Sequence, residues 1–165
     1  MTIFGKRLSE YIVFAKLFLI LIFAAGAIRL TLSLNGVPFE TTRWFSMTAL
    51  AWLGTIYYSI RVHTTGFGSF KQLLVILILQ DWIAQAFAIT GIAIAIATGT
   101  DNVFSVPEAF FGDDGKTWRH LAAHLTIGTT VGALVPWAIG SLILAVTRKA
   151  TRKFENFNPN SMERL

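Results

Sequence analysis

The charged residues of this chain are gathered into short segments, and the long stretches between them carry almost no ionisable side chain. Of its 165 residues, 54% are hydrophobic and 14% are charged, and the mean hydropathy is +0.60. Soluble globular domains carry about 25% charged residues. A chain this poor in charge, with its charges kept between uninterrupted apolar runs, is expected to fold in a lipid bilayer.

Four apolar stretches are candidates for membrane helices, at about 17–34, 44–61, 73–97 and 119–147. A helix needs roughly 20 residues to cross a hydrocarbon core about 30 Å thick, so the second stretch is short and the others suffice. None of them alternates in polarity as barrel strands do. The sequence therefore predicts an all-α integral membrane protein, a bundle of four transmembrane helices at 17–147.

The remaining segments are an amphipathic amino-terminal segment at 1–16, an outer loop at 98–118 and a basic tail at 148–165. Lysine and arginine accumulate on the cytoplasmic side of membrane proteins. In this arrangement ten of them fall on one side and three on the other; the three are Arg43, Lys116 and Arg119. This bias predicts that both termini are cytoplasmic.

Composition also limits the chemistry and the partners. The chain has no cysteine, which excludes disulfides, thiolate metal sites and cysteine nucleophiles. The net charge of +5 follows from the topology of a membrane protein, so we expect no nucleic-acid partner. The expected partners are membrane lipid and either other membrane subunits or further copies of the chain.

Small residues recur at helical spacing in the third and fourth stretches. Such rows let helices approach closely in lipid, where packing replaces the hydrophobic effect. We therefore predict that these rows are helix-packing surfaces. The fourth stretch carries Gly128, Gly132, Pro136 and Gly140, and the third carries Ala84, Ala88 and Gly91 beside Asp81 and Gln85.

Asp81 lies near the middle of the third stretch, where an ionised carboxylate costs at least ~2.5–3.5 kcal/mol. Arg29, counted from Lys16, has a similar depth in the first stretch. The sequence therefore predicts an Arg29–Asp81 ion pair, assisted by Gln80 or Gln85. The alternative is that Arg29 extends to the outer headgroups while Asp81 bonds to neutral polar side chains.

His120 and His124 are four residues apart and share one helix face near the outer surface. Two histidines on one helix cannot occupy opposite axial positions of one haem iron, but haem shared across a dimer, or held with a non-histidine ligand, stays open. They could also converge on zinc or copper. Glu108, Asp113 or Asp114 of the outer loop would complete such a metal site.

The segment at 61–74, RVHTTGFGSFKQLL, resembles one in small bacterial inner-membrane proteins with four helices. The resemblance covers mainly the second helix, the following loop and the start of the third helix. It implies a bacterial inner-membrane location. No activity is attached to that family, so no site residue is carried over.

Catalytic motifs are absent from the sequence: it has no nucleophile elbow, no phosphate loop and no paired carboxylates on one helix. Strong packing features and weak chemical ones favour a non-catalytic accessory or assembly subunit of a larger membrane complex. Two alternatives stay open. One is a haem- or metal-binding redox protein that uses His120 and His124, and the other is a small proton-coupled carrier that uses Asp81.

Overall fold

The structure is a computed structural model that describes residues 2–107 and 114–157, with side chains up to residue 152. The regular elements of the described part are helices, apart from one antiparallel ladder of two short strands. The elements in chain order are β1 (Thr2–Ile3), β2 (Lys6–Arg7), α1 (Leu8–Leu34), α2 (Phe39–Thr42), α3 (Met47–Thr64), α4 (Phe70–Thr98), α5 (Trp118–Ala123), a π-helical segment (His124–Gly128) and α6 (Thr129–Phe157).

Three helices are long and apolar enough to cross a membrane: Leu8–Leu34, Phe70–Thr98 and Trp118–Arg152. The last of these runs through α5, the π-helical segment and most of α6. These helices are consistent with an integral membrane protein. The fourth long helix, α3, has 18 residues and is about 27 Å long, just under the thickness of a hydrocarbon core.

The four long helices pack side by side, with α1 and α6 each in contact with both α3 and α4. Two apolar clusters fill the space between them. One contains Tyr11, Tyr58 and Leu144 and lies toward the amino-terminal hairpin. The other contains Met47 and Phe104 and lies toward the opposite end. Both clusters draw residues from several helices and hold the helices in register.

The amino-terminal hairpin, the last turns of α6 and the α3–α4 connection lie at the same end of the described part of the molecule. Gln72 of α4 donates a hydrogen bond of 2.9 Å to the Phe4 carbonyl in the hairpin. His63 of α3 contacts the Thr151 hydroxyl of α6 at 2.8 Å. Since these contacts join the hairpin, α3, α4 and the end of α6, the connecting residues at 35–46, 99–107 and 114–117 lie at the opposite end.

Helix α1 begins at Leu8, well before the apolar stretch predicted at 17–34. Glu10 accepts a hydrogen bond of 2.7 Å from the Arg7 backbone N–H and satisfies a free donor at the helix start. The turn before it uses positive φ at Phe4 and Gly5. Lys16 therefore lies inside α1 rather than at its beginning.

The chain that follows α4 folds back into the bundle. Gly99, with φ of 72°, ends α4 in a conformation that favours glycine. Asn102, which is 1% exposed, donates a hydrogen bond of 2.6 Å to the Gly91 carbonyl and accepts one of 3.0 Å from the Phe104 N–H. Phe104 thereby packs against α4 at Gly91, where a side chain larger than hydrogen would overlap its ring.

Candidate functional site

Asp81 is the centre of the candidate site. It is 7% exposed and lies about 16 Å along α4 from Phe70, close to half the thickness of a hydrocarbon core. Its Oδ1 accepts a hydrogen bond of 3.2 Å from Gln85 Nε2. Among the residues that the structure describes, Oδ2 has no hydrogen-bond partner and no cation forms a salt bridge with the carboxylate. The carboxylate is therefore buried, and only one of its two oxygens has a hydrogen-bond partner among the described residues.

A chain of hydrogen bonds connects Asp81 to the start of the last membrane helix. Gln85 Oε1 lies 2.7 Å from His124 Nδ1. Because an amide oxygen only accepts, Nδ1 of His124 is the donor in this bond. The centres of the His124 and His120 rings are 4.9 Å apart, so the polar chain continues toward the end of the bundle opposite the hairpin.

Glycines of the last membrane helix make room for this polar chain. A Cβ at Gly132 would overlap Asp81 Oδ1, and one at Gly128 would lie 2.9 Å from Gln85 Oε1. The π-helical segment His124–Gly128 lies at the same place. π-Helical segments are rare in proteins, and those that occur often lie at functional sites. This one lies where the last membrane helix packs around the side chains of α4.

A cleft of about 270 Å³ lies between α3, α4 and α6, with Asp81 in its wall. Gln80 also lines it, is 1% exposed, and has no hydrogen-bond partner for either amide atom within the described part of the chain. Val131 and Val135 are exposed at its edge. The other lining residues are mostly apolar or small: Thr48, Ala51, Trp52, Thr55, Leu77, Ala84, Gly132 and Pro136.

The predicted ion pair between Arg29 and Asp81 is not formed, which corrects the sequence-based expectation. Arg29 lies about 31 Å along α1 from Leu8, roughly 15 Å further from the hairpin end than Asp81. Its guanidinium lies 5.3 Å from the centre of the Phe104 ring. The expectation placed the start of the helix at Lys16 instead of Leu8 and so misjudged the depth of Arg29.

The histidine pair of the predicted metal or haem site lies at the outer end of the polar chain. His120 Nδ1 is 2.8 Å from the Gly115 carbonyl. Asp114 pairs with Lys116, at 3.3 Å from its Nζ, rather than with a histidine. The described residues contain no group of three metal-binding side chains, while Glu108 and Asp113 lie outside the described ranges. The metal or haem site stays a prediction.

The remaining small residues fall on different surfaces. Pro136 and Ala84 line the cleft. A Cβ at Gly140 would lie 2.6 Å from the Ser59 hydroxyl, so α6 and α3 meet closely there. Ala88 and Gly91 instead face α1 and the loop after α4. The small residues predicted to form one packing face of α4 therefore face three different places: the cleft, α1 and the loop after α4.

Two residues of α3 belong to the site and were not foreseen. A Cβ at Gly54 would lie 2.7 Å from both amide atoms of Gln80, and Trp52 lines the same cleft. The small residues Ala51, Gly54 and Thr55, at helical spacing, were the available signal.

Chemically, the site offers one carboxylate, one amide and one aromatic ring in an apolar cleft. This set can accept a proton, a hydrogen bond or a single positive charge. It offers no hydroxyl or imidazole placed as a nucleophile with its base. No protein family, curated protein or solved structure matches the chain.

Proposed function

We propose that this chain is a small proton-coupled carrier in which Asp81 takes up and releases a proton within the membrane. One observation carries the proposal: the carboxylate is buried beside an open cleft, and among the described residues only Gln85 partners it. Ionisable residues inside a membrane commonly mark proton or ion paths. This carboxylate orders no helix pair through a salt bridge, so a purely structural role explains it poorly.

The energy balance supports proton exchange. An ionised carboxylate near the bilayer centre costs at least ~2.5–3.5 kcal/mol unless a cation or water compensates it. Binding a proton removes this cost, and so does admitting a cation to the cleft. Two occupants that each neutralise the same carboxylate compete for it, which is the basis of exchange transport.

The proposed topology has four spans, both termini in the cytoplasm and an inner-membrane location. Its support is the lysine and arginine bias together with the contacts that place the hairpin, the α3–α4 loop and the end of α6 at one end. In this orientation the cleft lies near the middle of the membrane, because its α4 residues, Leu77 to Ala84, lie about 10–21 Å from the start of that helix. Four helices enclose no complete path by themselves, so the carrier is proposed to act as a dimer.

Proton flux tests the proposal, with the proton as the probe. Purified protein is reconstituted into liposomes that contain a pH-sensitive dye, a pH gradient with the acidic side inside is imposed, and sodium or tetramethylammonium is added outside as the exchanging cation. Wild-type protein is expected to dissipate the gradient, and Asp81→Asn is expected to lose that flux. Glu40→Gln is the matched control, since Glu40 is an exposed carboxylate paired with Arg43 at the outer end. Equal flux in folded Asp81→Asn and wild type would overturn the proposal.

If Asp81→Asn does not fold, a second measurement on the wild-type protein tests the proposal. Dicyclohexylcarbodiimide modifies protonated carboxyl groups in apolar surroundings, so the unmodified wild-type sequence can be used. A single adduct on Asp81, formed faster at low pH and located by mass spectrometry, is expected. Absence of that adduct in the folded wild-type protein would show that the carboxyl group takes up no proton from the membrane, and the proposal would fail.

Assembly into a larger membrane complex is the second candidate function. The observation that favours it is the pair of unpartnered polar groups, on Gln80 and Asp81, since a polar side chain of a neighbouring helix could satisfy them. Native mass spectrometry of a mild membrane extract distinguishes the two candidates. A stable stoichiometric complex with another membrane protein, lost in Gln80→Leu, supports assembly, and a homodimer alone supports the carrier.

A further inference from the structure

We propose that the cleft between α3, α4 and α6 binds a monovalent organic ammonium ion with an apolar body. This inference deepens the proposed carrier function by naming its substrate class, and it rests on that function only for transport. The binding site itself is argued from four properties of the cleft: its charge, its unpaired amide, its aromatic ring and its size.

The charge sets the sign and the valence of the ligand. Among the described residues, Asp81 is the acidic one in the cleft wall, and none of those that line the cleft is basic. One buried carboxylate compensates one positive charge, and a second charge would remain uncompensated in an apolar site. A neutral ligand provides no positive charge, so the carboxyl group would have to keep its proton, and an anionic ligand would add a second negative charge beside it. The site therefore selects a monovalent cation.

The lining separates organic from inorganic cations. Calcium and magnesium require six or more oxygen ligands in the first coordination shell. The cleft supplies oxygens from Asp81, Gln80 and two threonines, and one of these, Thr55, donates its hydroxyl hydrogen to the Ala51 carbonyl at 2.9 Å. The remaining wall is hydrocarbon, which replaces no hydration shell. An ammonium ion whose substituents are apolar meets the same wall favourably.

Gln80 and Trp52 complete the recognition. The Gln80 side chain is 1% exposed and, in the described part of the protein, both its amide atoms lack partners. A buried polar group without a hydrogen-bond partner destabilises the folded protein, so a ligand that pairs with it gains affinity. Trp52 is the aromatic residue of the lining. Tryptophan is the preferred aromatic partner of alkylammonium ions.

The size of the cleft limits the apolar body. Its volume is about 270 Å³. That is roughly twice the ~150 Å³ cavity that holds a benzene molecule. An ammonium group joined to one phenyl-sized substituent therefore fits. When such a cation enters a site whose carboxyl group is protonated, the proton leaves to solvent and the ion pair takes its place, so charge is conserved.

Equilibrium dialysis in lipid nanodiscs tests the inference with a matched pair of probes. Benzyltrimethylammonium carries the charge, and neopentylbenzene has the same shape with carbon in place of nitrogen. Wild-type protein is expected to bind the cation, and Asp81→Asn to bind it at least tenfold more weakly. Trp52→Leu is expected to weaken cation binding roughly tenfold. Binding of the neutral probe is expected to change little in Asp81→Asn.

The outcomes separate this inference from the carrier proposal. Cation binding without proton flux supports the site and rejects transport, whereas proton flux without cation binding rejects the site. Equal binding of both probes, or an unchanged affinity in folded Asp81→Asn, would overturn the inference. If Asp81→Asn does not fold, protection of wild-type Asp81 from carbodiimide by the cation, and not by the neutral probe, decides the matter in its place.

A lipid headgroup could supply the same ammonium chemistry, so the dialysis has two lipid arms. Nanodiscs of phosphatidylglycerol alone contain no ammonium, and those with phosphatidylethanolamine contain one on each molecule of that lipid. Weaker cation binding in the second arm identifies the lipid as the natural occupant. Equal binding in both arms identifies a free amine.

Discussion

Replacing Gln85 with leucine tests whether the polar chain from His124 to Asp81 joins the last membrane helix to α4. Gln85 accepts from His124 at 2.7 Å and donates to Asp81 at 3.2 Å. Leucine has a similar volume and makes neither bond. Hydrogen bonds between side chains in membrane proteins average about 0.6 kcal/mol and reach about 1.7 kcal/mol. The substitution should therefore cost about 1.2 kcal/mol, with an upper bound of about 3.4 kcal/mol.

A double-mutant cycle isolates the inter-helix bond. His124→Phe removes the other partner, so the coupling energy between His124→Phe and Gln85→Leu measures the interaction of the two side chains. The expected coupling is about 0.6–1.7 kcal/mol. Thr90→Leu is the control, because Thr90 is an exposed residue of the same helix, and its replacement should change stability by no more than about 0.5 kcal/mol.

The assay is reversible unfolding in mixed micelles, followed by circular dichroism as the fraction of dodecyl sulfate is raised. The free energy of unfolding is obtained for wild type, both single variants and the double variant. Additivity of the two substitutions within about 0.3 kcal/mol would show that the side chains do not interact. The polar chain would then be absent in the folded protein, and the environment described for Asp81 would be wrong.

Two further predictions concern the end of the bundle opposite the hairpin. Asn102→Ala removes two buried hydrogen bonds and leaves the Phe104 N–H without its acceptor, so hydrogen exchange at Phe104 should accelerate by at least tenfold, whereas the exposed Asn35→Ala should not affect it. The Lys116 backbone N–H lowers the pKa of Asp114, and the Asp101 carboxylate raises the pKa of Lys116. Resistance of this loop to proteolysis should therefore be constant from about pH 5 to pH 10. It should fall in acid, as Asp114 protonates, and in strong alkali, as Lys116 loses its proton; constant resistance across the whole range would contradict the ion pairs.

The sequence by itself determined that the chain is helical and membrane-embedded. Lipid offers no hydrogen bonds, so an apolar run of membrane length must satisfy its backbone internally as a helix. Composition alone carries that conclusion; the helices are confirmed, and three of them are long and apolar enough to cross a membrane. The sequence also identified Asp81 as the exceptional residue, because depth along a helix follows directly from residue number.

The partners of Asp81 were decided only by the tertiary structure. Whether a side chain at a given depth meets Arg29 or Gln85 depends on where each helix begins and how it is rotated about its axis. The start of α1 is set by Glu10 and a tight turn rather than by the apolar pattern, so Arg29 lies too far along the helix to reach Asp81. A difference of eight residues in a helix start is about 12 Å along the axis.

The cleft was likewise beyond the sequence. α3 and α6 meet closely at Gly140, both helices line the cleft together with α4, and Gly132 leaves space for the Asp81 side chain. A row of small residues states that helices can approach each other, but it does not state which helices do so or where they diverge. Relative rotation and crossing of helices are collective results of all their contacts. For that reason the helices could be predicted from the sequence, and the space between them could not.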